Sequence, residues 1–153
     1  MLTRSDRLMV NHKSMPLTSI KQRQGSRFEE QACAFLTAQG LQLVAQNWQQ
    51  PTVGELDLVM IETGAAWSTL VFIEVRQRQH SVYGNAALSV TASKQRKIIR
   101  TAQCFLQQHP EYAHYDCRFD VIAYDTAHCA TLVHQSATEP PKWLQAAFVA
   151  SAW

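Results

Sequence analysis

Apolar residues in the first half of the chain follow two different periods. Between Ser26 and Gly40 they recur at helical spacing, as Phe28, Ala32, Phe35 and Leu36. This spacing predicts a first helix that ends at the glycine. The three segments that follow, LQLVAQNW, ELDLVMIE and TLVFIEVR, are short, rich in apolar and β-branched residues, and separated by short turns. They predict three consecutive strands in an antiparallel meander.

The second half of the chain predicts a helix between two strands. SKQRKIIRTAQCFLQQHP has one apolar face, Ser93 as a candidate N-cap and Pro110 just beyond its end. RFDVIAY predicts a fourth strand, ATLVHQ a weaker fifth, and PKWLQAAFVASAW a short terminal helix that starts near Pro141. A crossover helix between two strands of one sheet makes them parallel. We therefore expect an α/β fold, a mixed sheet with flanking helices in the order αβββαβ.

Length and composition favour one folded domain with a polar leader. A chain of 153 residues that is 46% hydrophobic is suited to a single core, which we expect over residues 25–153. Residues 1–24 carry five basic side chains against Asp6 alone, and we expect a disordered basic leader there. No apolar run approaches the roughly 18 residues of a membrane span, so we expect a cytoplasmic protein with no membrane partner.

Acidic residues stand on the second and third predicted strands, where apolar residues would be expected. Glu74 and Arg76 share one face of VFIEVRQRQH, and Asp57 lies on the strand before it. If the two strands pair as an antiparallel hairpin, Asp57 and Glu74 sit side by side. Two adjacent carboxylates repel each other unless a cation compensates them, and Mg²⁺ or Mn²⁺ suits such oxygen ligands. Both acids are therefore candidate metal ligands, with Arg76 facing a phosphate.

These acids also have purely structural interpretations. Glu74 and Arg76 form a plausible ion pair near a strand end. Glu29 follows Ser26 in the S-x-x-E spacing of a helix capping box. Asp120 in RFDVIAY has Arg118 two residues away as a structural partner. The residues alone leave both interpretations open for Glu74 and Glu29 and favour the structural one for Asp120.

The second predicted helix is rich in bases. Lys94, Arg96, Lys97 and Arg100 do not form a single stripe, so part of this cluster is a solvated face. Lys94 and Lys97 are three residues apart and can contact phosphates together. We therefore include both among the candidate nucleic-acid-binding residues.

Five blocks in order, GSRFEEQA, GELDLV, VFIEVRQR, GNAALSVTASKQRKI and CRFDVIAY, together resemble the YraN-like family of bacterial proteins in the PD-(D/E)XK endonuclease-like superfamily. The resemblance extends over about residues 25 to 125, most of the expected domain. Five ordered blocks are far more specific than an isolated E-x-K. The resemblance implies a restriction-endonuclease-like fold.

The resemblance also implies a nuclease-like site. Glu29, Asp57 and Glu74 fall on its acidic positions, and Arg76 falls where the superfamily usually has lysine. Arginine stays protonated at any accessible pH, so Arg76 supplies charge but does not accept a proton. Hydrolysis would then depend on water activated with the help of Mg²⁺ held by Asp57 and Glu74.

The implied substrate is DNA. Arg78 extends the third strand in the family manner, and Lys94 falls where such proteins carry a basic residue on the following helix. The family is similar in arrangement to Holliday-junction resolvases, which implies branched or repair intermediates as substrates. Resolvases work as dimers on symmetric junctions, so a homodimer is also an expectation, although no pattern marks a dimer face.

The sequence therefore supports three functions. The first is a metal-dependent endonuclease acting on DNA phosphodiesters. The second is a nucleic-acid-binding module that has kept the fold and lost catalysis. The third is a scaffold that contacts another protein through the C-terminal WLQAAFVASAW, a stretch that more often covers a sheet.

Overall fold

The strands of the sheet lie in the order in which they occur in the chain. A computed structural model of the protein describes residues 20–79, 90–126 and 140–150, of which residues 20–24, 78–79 and 125–126 are described by backbone alone. Its elements are α1 (Ile20–Ala38), β1 (Gln42–Gln50), β2 (Gly54–Thr63), β3 (Ser68–Gln79), α2 (Ala92–Gln108), a 3-10 helix (Pro110–Tyr112), β4 (Asp116–Thr126) and β5 (Lys142–Phe148).

The strand directions confirm the predicted mixed sheet. β1, β2 and β3 pair antiparallel in sequence as a meander. β3 and β4, which flank α2 in the chain, pair in parallel from Thr69↔Asp116 to Gln79↔Thr126. β5 then adds antiparallel to β4. In the described ranges, no helix is both long and apolar enough to cross a membrane.

Alternation along β3 divides the core between two faces of the sheet. Val71 and Ile73 belong to a buried cluster that contains Leu36 of α1. Leu70 and Phe72 belong to a second cluster that contains residues of α2. Because successive strand side chains point to opposite faces, the two helices cover opposite sides of the sheet. The next residues of β3 on the α2 side are positions 74 and 76.

The predicted helix starts are wrong in both cases. α1 begins at Ile20, so Ser26 lies inside the helix and does not cap it with Glu29. The basic and amide residues that precede Gly25 are good helix formers and allow the helix to continue. α2 is capped by Thr91 rather than Ser93, since the Thr91 hydroxyl accepts a hydrogen bond from the Lys94 amide at 3.3 Å.

The end of α1 is as predicted. Gly40 has a φ of 96°, a conformation that favours glycine, and the Leu41 N–H donates to the Leu36 carbonyl at 3.1 Å. Two other predictions lie outside the described residues. They are the disordered leader as far as residue 19 and the weak fifth strand ATLVHQ at residues 130–135.

The predicted terminal helix is wrong, because Lys142–Phe148 forms β5. The reason lies in Asp120 on β4, which is fully buried. Its carboxylate accepts hydrogen bonds from the Trp143 indole N–H at 3.0 Å and from the Ala146 amide at 2.9 Å. A buried carboxylate without donors is costly, so this tertiary requirement overrides the helix propensity of Leu-Gln-Ala-Ala.

Asp120 also confirms its predicted structural role on its own strand. Arg118 donates from Nε to Oδ1 at 2.9 Å and from Nη2 to Oδ2 at 3.0 Å. The same guanidinium forms an ion pair with Glu62 on β2. The carboxylate therefore accepts four hydrogen bonds, two from β5 and two from Arg118 on its own strand, and Arg118 continues the network to β2.

Close contact between α2 and the start of β2 requires glycine at position 54. A Cβ placed on Gly54 would stand 2.5 Å from the Thr101 hydroxyl oxygen and 3.1 Å from Cε of Lys97. The Thr101 side chain is fully buried, and its hydroxyl donates to the Lys97 carbonyl at 2.8 Å. The first half of α2 is thereby held directly against the strand that carries Asp57.

Replacing Asp120 with alanine should lower the free energy of unfolding by about 3 kcal/mol, because two backbone or indole donors and a guanidinium lose their acceptor. Chemical unfolding followed by circular dichroism measures the change. Asp116→Ala, at the exposed start of the same strand, is the control and should cost less than about 0.5 kcal/mol. Equal losses in the two variants would show that Asp120 does not hold β5.

Gly54→Ala should destabilise the fold by about 1–3 kcal/mol through overpacking. Combining it with Thr101→Ala removes the atom in closest contact, so the double variant should lose less than the sum of the two single changes. Unfolding curves of all three variants test this. Additive losses would contradict a direct steric conflict between these positions.

Candidate active site

The candidate site lies where the β2–β3 ladder ends. Paired residues run from Thr63↔Ser68 to Leu58↔Ile73, and the next residues beyond the last pair are Asp57 and Glu74. The predicted hairpin and the predicted proximity of these acids are therefore confirmed. On β3, Glu74 continues the α2-facing side after Phe72, which places a carboxylate directly beyond the buried core.

Asp57 is fixed by a backbone hydrogen bond across the two strands. Its Oδ2 accepts from the Val75 amide at 2.8 Å. Beyond the last paired residues, a side-chain oxygen thus takes the place that a strand carbonyl would occupy in a regular ladder. This bond orients the carboxylate beside Glu74. It also joins β2 to β3 just beyond their last paired residues.

Burial raises the pKa of both carboxyl groups, and the charge of Glu74 raises that of Asp57 further. Burial, followed by the charge of Glu74, raises the pKa of Asp57 from 3.8 to about 7, against the opposing effect of the Val75 hydrogen bond. Burial also raises the pKa of Glu74, whose side chain is 12% exposed. Near neutral pH Asp57 is therefore only partly ionised, and full ionisation of the pair requires compensating positive charge.

Lys94 reaches this pair from the first turn of α2. Its ammonium nitrogen lies 3.2 Å from Glu74 Oε1, and its side chain is 43% exposed. The charge of Lys94 lowers the pKa of Glu74 and that of Asp57. The Thr91 cap fixes where α2 begins, so it also fixes the point from which this lysine extends.

Arg76 and Glu29 act on the site through their charges. Arg76 is half-buried on β3, and its charge lowers the pKa of Glu74. Glu29 lies on α1, and its charge raises the pKa of both other acids. The neighbouring Phe28 packs on the Tyr124 ring of β4 with centroids 5.0 Å apart, which anchors this part of α1 against the sheet.

A divalent cation suits the chemistry of the Asp57–Glu74 pair. Mg²⁺ commonly binds one or two hard carboxylate ligands, whose negative charge it balances. It takes its remaining ligands from water or phosphate. Across the described ranges, no three acidic, histidine or cysteine side chains are close enough to hold a metal together. The fit therefore rests on two protein carboxylates, with Glu29 acting at longer range.

The two remaining residues predicted to bind nucleic acid are Lys97 and Arg78. The Lys97 side chain packs its methylene groups over Gly54 at the start of β2. Arg78 lies on β3 and is described by backbone alone.

Sequence reasoning missed two features of the site. It assigned Lys94 to phosphate and did not find its contact with Glu74. It also missed the Val75 amide that orients Asp57. The crossover topology was a usable signal for the lysine, because a helix that joins parallel strands starts near the end of the first strand.

Comparison with known proteins identifies relatives along the whole chain. A UPF0102 protein of Psychrobacter cryohalolentis is 60% identical over an alignment that covers 100% of this chain and 95% of the relative. A UPF0102 protein of Pseudomonas putida strain GB-1 is 41% identical, with 82% of this chain and 93% of the relative covered.

The model of the uncharacterised protein family UPF0102 matches residues 28–124. These residues run from α1 into β4 and include Asp57, Glu74, Arg76 and Lys94. The match agrees with the resemblance to YraN-like proteins that the five sequence blocks indicate. The chain belongs to the uncharacterised protein family UPF0102.

Proposed function

We propose that the protein is a divalent-metal-dependent phosphodiesterase that cleaves DNA, with branched or repair intermediates as its substrate class. The observation that carries this proposal is the Asp57–Glu74 pair. Asp57 is oriented by a single backbone donor beside a second buried carboxylate, and burial raises the pKa of both. Such an arrangement costs stability and has a chemical use when a cation binds.

Each residue of the site has a role in this proposal. Asp57 and Glu74 would hold Mg²⁺, which when bound supplies the Lewis acidity that activates water and balances phosphate charge. The guanidinium of Arg76 contacts a non-bridging phosphate oxygen and stabilises its developing charge. Lys97 and Arg78 are proposed to bind the nucleic-acid backbone.

A second candidate is a DNA-binding module without catalysis. Two observations favour it: Arg76 stands where a lysine is usual, and Lys94 already neutralises Glu74 at 3.2 Å. In this case DNA affinity would fall steeply with salt and would not depend on Mg²⁺. Much of the C-terminal apolar stretch forms β5 and pairs with β4, which argues against the scaffold interpretation.

The nuclease proposal predicts that Mg²⁺ binding and DNA cleavage disappear together. Asp57→Asn keeps an oxygen acceptor for the Val75 amide but removes a charged ligand, and cleavage should fall by at least about a hundredfold. Calorimetric titration with Mg²⁺, followed by incubation with branched and linear DNA, measures both properties. The double variant with Glu74→Gln should bind no metal.

Glu55→Gln is the matched control, because Glu55 is an exposed acid on the same strand, two residues from Asp57. It should bind Mg²⁺ and cleave DNA like the wild type. Full cleavage by Asp57→Asn would disprove the assignment. Salt-sensitive DNA binding by the wild type, without any heat from Mg²⁺, would favour the binding module.

The raised pKa of Asp57 predicts how stability depends on pH. The folded protein keeps a proton on Asp57 up to about pH 7, whereas the unfolded chain releases it near pH 4. The free energy of unfolding should therefore fall as pH rises through this window, by at most about 4 kcal/mol. Unfolding curves at a series of pH values, without divalent ions, measure the slope.

Asp57→Asn removes this titration and should be more stable than the wild type at pH 8, with a flatter profile between pH 4 and 7. Glu55→Gln should keep the wild-type profile. A wild-type stability that stays constant or rises over the same window would show that Asp57 is ionised in the folded protein without strain.

A further inference from the structure

We propose that Lys94 is an internal counter-cation of the acid pair, which a divalent ion displaces from Glu74 and thereby releases to bind the DNA phosphate. This inference rests on the proposed metal site and adds a coupling between metal loading and substrate binding. It gives Lys94 two successive partners, Glu74 before the metal binds and the DNA phosphate afterwards.

The contact between Lys94 and Glu74 occupies an oxygen that a metal would need. The ammonium lies 3.2 Å from Oε1 of Glu74, whose side chain is only 12% exposed. A divalent ion carries twice the charge of an ammonium and binds carboxylate oxygen directly, so it competes for this atom. Two cations at one buried carboxylate repel each other, and the singly charged, flexible one is the one that leaves.

The position of Lys94 gives the released ammonium somewhere to go. Its side chain is 43% exposed, unlike that of Glu74, and lysine has a flexible four-carbon stem. Because Lys94 lies in the first turn of α2, its backbone stays fixed by the Thr91 cap while the side chain moves. A phosphate brought to the metal would then lie within reach of the same amine.

The other charged groups that face the pair are less suited to this exchange. Arg76 lies on β3 itself, two residues from Glu74, and Glu29 on α1 adds negative charge. The Lys97 side chain packs over Gly54 at the start of β2. Lys94, on a neighbouring element, contacts Glu74 directly.

Lysine labelling on the full chain tests the release. An amine-acylating reagent, with peptide mapping by mass spectrometry, reports the reactivity of Lys94 and of Lys97 as Mg²⁺ is added. Lys94 labelling should rise with the midpoint of the calorimetric Mg²⁺ titration, while Lys97 labelling stays constant. Heat of Mg²⁺ binding with unchanged Lys94 labelling would overturn this inference alone. Absence of heat would overturn the proposed metal site, and this inference with it.

Metal affinity gives a second, independent readout. At about pH 9, well above the pKa of about 7 of Asp57, Lys94→Gln should bind Mg²⁺ about fivefold more tightly than the wild type, because the competing ion pair is gone. Lys94→Arg keeps the competitor and should bind like the wild type. Arg96→Gln removes the same charge from an exposed position of α2, and an equal gain there would reduce the effect to general electrostatics and contradict the exchange.

DNA affinity completes the test. With Ca²⁺ in place of Mg²⁺, Lys94→Gln should weaken binding of a short DNA duplex and lower the salt slope by about one. Without divalent ions it should have little effect, since the wild-type ammonium is then held by Glu74. Equal losses with and without Ca²⁺ would identify Lys94 as an ordinary backbone contact and disprove the coupling.

Discussion

Two carboxylates placed side by side at the end of a buried ladder set the main constraint on this protein. Asp57 and Glu74 follow directly after core residues on β2 and β3, so the packing that stabilises the sheet also removes water from the acids. The Val75 amide stabilises the ionised form of Asp57 only in part. The remaining charge must be balanced by Lys94, by Arg76 or by a bound cation.

Asp120 shows what a structural buried carboxylate looks like in the same sheet. It is fully buried and accepts four hydrogen bonds, two of them from one arginine. In the described part of the chain, Asp57 accepts a hydrogen bond from the Val75 amide and has an acidic neighbour. Residue type does not separate these two aspartates, but Asp57 is half-buried where Asp120 is fully buried, and the described donors to each carboxylate differ in number. The difference supports a fold role for Asp120 and a chemical role for Asp57.

The part of the fold that depends on local pattern could be predicted from the sequence. Strand alternation and short turns predict β1 to β3, and the crossover rule predicts parallel β3 and β4. β5 could not be predicted, because its strand conformation depends on hydrogen bonds to the buried Asp120 carboxylate. One of these bonds joins Asp120 to Ala146, 26 residues further along the chain. The predicted start of α1 was wrong because the S-x-x-E pattern of a helix cap also occurs inside helices.

The candidate site follows the same division between local and long-range information. The proximity of Asp57 and Glu74 could be predicted because hairpin register is a local property. The position of Arg76 on the same strand face as Glu74 follows from strand alternation. The partner of Glu74 could not be read in this way, since Lys94 is brought to it by the path of the crossover and by the Thr91 cap. In the proposed function the two bases differ in their attachment, since Arg76 lies on β3 beside Glu74 and Lys94 is a flexible amine that approaches from α2. A fixed guanidinium suits a phosphate held in one position, and a flexible amine suits a contact that is made only after the acids have another cation.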